Sequence, residues 1–164
     1  MSCKREKGFL ELVEDNPDAY GPFWNSTTLI FLIALTTNLT RGGYDLTTLT
    51  TSTWVVYGFT AGAPLLLWVV LNQLDVPVSL IKLICMYGYS IGPYLPAVLI
   101  CAIPASFLSW TALGVAGVTS VIFLLRTLTP ALLEKNMGMA APVMAMLGLV
   151  QGVFTLILKF AFFD

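Results

Sequence analysis

The side chains that carry most protein chemistry are scarce in this chain. It contains no histidine, which removes the commonest general base and metal ligand. Its cysteines, Cys3, Cys85 and Cys101, have no metal-ligand spacing. Cys85 and Cys101 lie sixteen residues apart in one expected helix. That is about 24 Å along the axis, too far for a disulfide, and apolar packing accounts for both. Cys3 is a candidate for acylation with no specific motif around it. Asp75, beside Pro77, reads as a solvated turn residue, and Lys82 and Lys159 lie near helix ends, where long stems snorkel to headgroups. No H-E-x-x-H, paired intramembrane Asp or nucleophile motif occurs. The expectation is a protein that is not an enzyme and holds no metal and no cofactor.

What remains are patterns that act through the backbone. Tyr87-Gly88-Tyr89-Ser90-Ile91-Gly92-Pro93-Tyr94-Leu95-Pro96 sits inside a long apolar run. Pro93 and Pro96 remove two N–H donors and are expected to free carbonyls near residues 89 and 92. Such a break is a kink, a hinge or the wall of a ligand-lined cavity. Asp18-Ala19-Tyr20-Gly21-Pro22-Phe23-Trp24 joins a capping-capable acid, a tight turn, a helix-starting proline and interface aromatics. Gly58-x-x-x-Gly62, Gly88-x-x-x-Gly92 and Gly148-x-x-x-Gly152 each put two glycines on one helix face. In lipid that spacing serves close backbone approach, either within the bundle or along a seam with another chain.

The elements that must position these residues are membrane helices. The chain is 57% hydrophobic and 10% charged, with mean hydropathy +0.85, where a soluble domain carries about a quarter charged residues. Apolar runs span approximately Phe23–Leu39, Thr53–Leu71, Leu80–Ile103, Phe107–Leu125 and Ala141–Phe163. Alternating strands are absent, and lipid demands that backbone groups be satisfied internally. The fold expected is therefore all-α, a polytopic membrane protein with a bundle of five transmembrane helices. Residues 1–22 form a short cytosolic segment and residues 23–164 the transmembrane domain, with the first span an uncleaved signal-anchor. Within the lead-in, Phe9, Leu10, Leu12 and Val13 alternate with Glu6, Glu11, Glu14 and Asp15, giving one or two amphipathic turns. The stretch from Thr40 to Ser52 reads as a Gly/Thr-rich connector.

Loop charge sets orientation. With the N-terminus cytosolic, six of the cations (Lys4, Arg5, Lys7, Lys82, Arg126, Lys135) share that side, and two (Arg41, Lys159) face the other. The C-terminus is then lumenal. A net charge of −1 with no basic run excludes a nucleic-acid partner. The odd span number argues against an inverted-repeat transporter.

With its entry sequence Asp18-Ala19-Tyr20-Gly21-Pro22 and with Gly88-Tyr89 followed by Pro96 in the third run, the chain resembles the Yip family. These polytopic proteins interact with Ypt/Rab GTPases and share a D-L-x-G-P entry motif and a G-Y-x-x-x-x-x-x-P motif in the third of five spans. Here Ala19 stands at the second position of the first motif. The resemblance covers roughly residues 16–164 and is nearest to Golgi-type members. It implies an integral membrane protein of the Golgi and ER with a role in vesicle-mediated protein transport. Its implied partners are prenylated Rab-type GTPases, related Yip/Yif proteins, the bilayer and a possible second copy. The partner- or lipid-binding candidates on this reading are Asp18, Tyr20, Gly21, Pro22, Gly88, Tyr89 and Pro96, with Glu11 and Glu14. Gly58, Gly62, Gly92, Gly148 and Gly152 are the helix-packing candidates.

Two function classes follow. In the first, the bundle is an adaptor that presents cytosolic segments to a lipidated GTPase, with a groove beside the Pro-broken third helix for the lipid. In the second it is a small transporter or lipid scramblase, with Ser90, Thr60, Gln151 and the tyrosines lining a polar track. A curvature wedge overlaps with the first.

Overall fold

A computed structural model of the chain describes residues 20–43, 45–74, 76, 78–103, 105–133 and 137–163. The described residues are helical throughout apart from short turns, with no strand among them. The helices are α1 (Tyr20–Arg41), α2 (Leu46–Gln73), α3 (Leu80–Ser90), α4 (Tyr94–Ile100), α5 (Ser106–Leu133) and α6 (Met137–Phe162). Four segments are long and apolar enough to cross a membrane: α2, the α3–α4 unit, α5 up to Pro130, and α6 from Ala141. The protein is thus an all-α integral membrane protein. The 22 residues of α1 would reach about 33 Å, but α1 is less apolar than these four.

The helices outrun the apolar runs because hydropathy marks the hydrocarbon slab, not the end of hydrogen bonding. The chain from Thr40 to Ser52 is no long connector. α1 stops at Gly42, whose N–H still reaches the Asn38 carbonyl at 3.2 Å and whose φ of 67° then turns the chain out of the helix, a left-handed C-terminal stop. Three residues later Asp45 caps α2, its carboxylate accepting from the Thr47 amide at 2.9 Å. Thr50 and Thr53 then hydrogen-bond back to the Leu46 and Leu49 carbonyls, so a polar sequence is helical from its first turn. Thr127 does the same for α5, donating to Phe123 O at 2.8 Å beyond the end of the apolar run.

α1 packs against α2 and both halves of the third span, that span against α5, and α5 against α6. Two apolar clusters fill the interior. One centres on Leu29, Ile33, Val56, Tyr94, Leu113 and Phe154, the other on Leu67, Leu71, Leu83, Met86, Leu124 and Leu147. Aromatic rings tie them: Phe59 stacks on Phe154 at 3.9 Å, Tyr94 meets Phe154 edge-on at 5.4 Å, and Tyr87 meets Phe59 at 5.9 Å. Large apolar side chains such as Phe107 and Trp54 remain exposed on the perimeter, as a lipid-facing surface requires. The ends of α1, α4 and α6 and the start of α5 line one cavity, so successive spans alternate in direction.

The third span breaks where the two prolines predict, with a different carbonyl orphaned. Gly92 N–H bonds to Tyr89 O at 3.0 Å, Tyr94 N–H to Ile91 O at 2.9 Å and Leu95 N–H to Gly92 O at 3.1 Å. Tyr89 and Gly92 are therefore satisfied by tight i→i+3 bonds. Ser90 is the residue skipped, because its i+3 neighbour is Pro93 and the Tyr94 amide has gone to Ile91. The Ser120 hydroxyl of α5 takes the Ser90 carbonyl instead, at 2.6 Å.

Candidate functional site

The two sequence motifs meet. Gly21 and Pro22, in the first turn of α1, lie against Gly88 and Tyr89 at the end of α3, and each glycine is the seat for the other motif's ring. A methyl group added to Gly21 would come within 2.8 Å of Tyr89 Cζ. One added to Gly88 would come within 2.7 Å of Pro22 Cα and 2.9 Å of its Cγ. At Gly88 the obstacle is the Pro22 backbone and ring, so only glycine leaves room there, whereas at Gly21 it is the tip of the Tyr89 side chain. Pro22 and Gly88 are buried, and Gly21 and Tyr89 half-buried. Asn25, one turn further along α1, reaches the Gly88 carbonyl through a long contact of 3.5 Å. Proline suits this position because the first turn of a helix needs no N–H from it.

The remaining candidates are elsewhere. Tyr20 is exposed, its ring edge-on to Trp24 at 5.8 Å. Pro96 lies a break and a turn beyond the interlock and faces away from it, on the wall of a groove between α4 and α5. Pro93, Ala112, Val115 and Thr119 also line this groove, whose volume is about 420 Å³. Glu11, Glu14 and Asp18 lie outside the described residues.

Of the three glycine pairs, Gly58/Gly62 and Gly148/Gly152 make no close approach to another described helix. A methyl group on Gly58, Gly62, Gly148 or Gly152 would meet nothing within 4 Å. Gly58 and Gly62 floor an apolar groove between α2 and α6, and Gly148 and Gly152 one between α5 and α6. At Gly92 an added methyl would meet only the Tyr89 carbonyl, at 3.2 Å, within the break itself. Close approach between helices falls instead to Gly21, Gly88 and Gly117, the last against Thr155 Oγ1 at 2.8 Å.

Beneath the break lies a buried polar network whose proton directions are fixed by elimination. The Ser120 hydroxyl is committed to Ser90 O, and the Thr155 hydroxyl donates to Gln151 O at 2.9 Å. Tyr94 must then donate to Thr155 Oγ1 at 2.6 Å. The Gln151 amide gives its two hydrogens to Ser120 Oγ at 2.7 Å and Tyr94 OH at 3.1 Å. Gln151 Oε1 is the one acceptor of the set without a partner. Thr60 belongs to a separate seam, at 3.3 Å from Ser26 across α1 and α2 and donating to Val56 O. Gln151 and Tyr94 thus bond to each other, and Ser90 and Thr60 to backbone carbonyls and neighbouring hydroxyls, all inside the bundle. Sequence reading marked them as unusual in apolar runs but had no means of pairing them.

Lys159 does not extend outward. It is 2% exposed, donates to the Phe163 carbonyl and lies 5.7 Å from the Trp110 ring centre. Among the described residues no three His, Cys, Asp or Glu side chains are grouped to hold a metal.

Comparison with known proteins bears on the interlock directly. The chain is 30% identical over 164 residues, 94% of this chain and 47% of the relative, to Protein YIPF1 homolog of Dictyostelium discoideum. It is 28% identical over 139 residues, 74% of this chain and 56% of the relative, to Protein YIP5 of Schizosaccharomyces pombe. The chain therefore spans about half the length of the curated relatives it matches. No solved structure matches it. Residues 4–158 match the Yip1 domain, a stretch that takes in both interlocked motifs and nearly all of the bundle; the chain belongs to the Yip1-domain family.

Proposed function

We propose that this protein is a membrane-embedded adaptor of vesicle trafficking in the early secretory pathway, with α1 as a fifth span and the N-terminus in the cytosol. The observation that carries the reading is the interlock. It fastens the first turn of α1 to the broken third helix, whose outer side opens as the Pro93–Pro96 groove. A partner gripping the entry segment would find a lipid-accessible slot further along the span to which α1 is fastened. The groove's volume of about 420 Å³ lies in the range of ligand-holding pockets, about 300–1,000 Å³.

The partner proposed is a prenylated Rab-type GTPase, with Yip/Yif proteins or a second copy completing the assembly. The domain division is a cytosolic segment over residues 1–22 and a bundle over residues 23–164, sited in Golgi or ER membranes with a lumenal C-terminus. A single lipid chain gives only marginal anchoring to a bilayer, so a slot that shelters it adds both retention and selectivity. The polar residues on which a transport pathway would draw are engaged inside the bundle, which favours the adaptor reading over a transporter or scramblase.

The test is capture of a Rab GTPase by the protein in nanodiscs, comparing prenylated and unprenylated forms. Capture is expected only for the prenylated form, and is expected to fall when Ala112→Phe fills the groove. Equal capture of both forms, or no effect of the filled groove on a folded protein, would overturn it.

A further inference from the structure

Where α1 turns into α2, the two helices enclose a trough of about 350 Å³ whose two ends differ. Phe31, Leu35, Leu39 and Leu49 make its length apolar, and Asn38 and Asp45 stand at one end. The three grooves described above have no charged residue among their described walls. Asp45 is also the only acid among the described residues. From Phe31 to Arg41 a helix rises about 15 Å, the depth of one leaflet in a hydrocarbon core of about 30 Å. The apolar run of α1 ends at Leu39, which sets the polar end of the trough at headgroup level and Phe31 towards the middle of the bilayer.

Capping α2 is one use of Asp45, and it leaves capacity over. Oδ1 accepts from the Thr47 amide and Oδ2 from the Thr47 hydroxyl, which takes two of the about four lone-pair sites on a carboxylate. Asn38 Oδ1 accepts from the Asp45 amide at 3.2 Å. That bond holds the two residues together at the mouth and does not use the Nδ2 hydrogens. Arg41 lies three residues beyond Asn38 and so beside it on the helix surface. It attracts the Asp45 carboxylate through space, more weakly than the Thr47 bonds act on it. The mouth therefore sets opposite charges side by side, with acceptor oxygens on Asp45 and donors on Asn38 and Arg41.

We propose that this trough holds an acyl chain of a phosphatidylethanolamine-class lipid, with the ammonium on Asp45 and the phosphate facing Asn38 and Arg41. A zwitterionic headgroup complements both charges of the mouth, where a purely anionic or cationic one complements only one of them. The primary ammonium brings N–H donors to the remaining lone pairs of Asp45, and the quaternary nitrogen of choline has none. The placement at headgroup level rests on α1 crossing the bilayer as the proposed fifth span. The trough is distinct from the Pro93–Pro96 groove, and its failure would leave the adaptor reading intact.

The test uses the full chain in nanodiscs of phosphatidylcholine and phosphatidylethanolamine with matched acyl chains, and native mass spectrometry reads the co-retained lipid. The wild type is expected to retain phosphatidylethanolamine about threefold over phosphatidylcholine, a modest ratio because Asp45 is exposed. Asp45→Asn removes the charge while keeping a good helix cap, and is expected to abolish the preference. Leu35→Trp, at an exposed position, fills the trough and is expected to lower retention of both lipids. Ala112→Phe, in the other groove, is expected to leave the preference unchanged. Impermeant thiol labelling of Gly43→Cys in a Cys3→Ser background is expected from the face opposite an N-terminal tag. Labelling from the tag's own face would remove α1 as a span and the proposal with it. With α1 shown to span, the trough alone would be overturned by no preference in the wild type, by a preference that survives Asp45→Asn, or by retention that responds to Ala112→Phe and not to Leu35→Trp.

Discussion

Substituting alanine for glycine should have opposite signs at two positions that look alike in the sequence. At Gly88 the new methyl group falls 2.7 Å from Pro22 Cα, against an ordinary carbon–carbon separation of about 3.5–4.0 Å. The obstacle is backbone, so α1 must shift by about 1 Å, a distortion at the upper end of the roughly 1–3 kcal/mol that overpacking costs. Alanine recovers about 1 kcal/mol of helix propensity. Gly88→Ala is therefore expected to destabilise by about 2 kcal/mol, a shift of about thirtyfold in the folding equilibrium. At Gly58 the same methyl meets nothing within 4 Å, so only the propensity gain of about 1 kcal/mol remains. Reversible unfolding in mixed micelles by titration with a denaturing detergent, followed by circular dichroism, measures both. Equal and small effects at the two sites would refute the interlock.

The remaining predictions concern the interlock, the polar network and the α2 cap. Pairing Gly21→Ala with Tyr89→Ala should show coupling in a double-mutant cycle, because removing the ring relieves the clash that the methyl creates; additivity would argue that the two do not touch. Ser120→Ala leaves the Ser90 carbonyl buried without its donor and should cost about 1–3 kcal/mol in the same unfolding assay, whereas Ser120→Thr should be tolerated far better. Tyr94→Phe strips the donor from Thr155 and the acceptor from Gln151 and should destabilise by about 1–2 kcal/mol; a neutral result would mean the network carries no net stability. The Asp45 carboxyl is held below its ordinary value of 3.8 by hydrogen bonds from the Thr47 side chain and amide, with Arg41 adding. Its support for α2 is then present above that value and lost as pH falls through the lowered one. Amide exchange at Thr47, corrected for its intrinsic pH dependence, should lose protection only at strongly acidic pH.

The helices were legible in the sequence because runs of about 20 apolar residues have few alternatives in a bilayer. Their ends were not. Leu46 to Ser52 looks like a polar loop by hydropathy, yet Asp45 and the threonines satisfy its backbone locally. The motifs were equally legible as local irregularities: a Gly-Pro entry and a Pro-broken helix. That Pro22 rests on Gly88 was hidden, since contact across 66 residues leaves no trace in one sequence. Glycine spacing leaves the partner open for the same reason. It shows that two glycines share a face, but not what lies opposite, and at Gly58, Gly62, Gly148 and Gly152 no described residue comes within 4 Å of an added methyl group. Lys159 was read as a snorkelling residue from its place near a helix end. Its burial depends on Trp110 and the Phe163 turn, neither predictable from the spacing of charges.

The seating of Pro22 on Gly88 also has a consequence for how the chain is made. Among the described helices α1 is the first to leave the ribosome and is less apolar than the four segments that follow, so it is the poorest candidate of these for partitioning into lipid unaided. Its seat on the third span does not exist until 66 more residues have been translated, about 3–13 s at 5–20 residues per second. Over that interval the insertion machinery must shelter α1 or leave it loosely placed. Ribosome-stalled chains ending before Gly88 should then leave α1 extractable by alkali, and chains extending well past Pro96 should hold it fast.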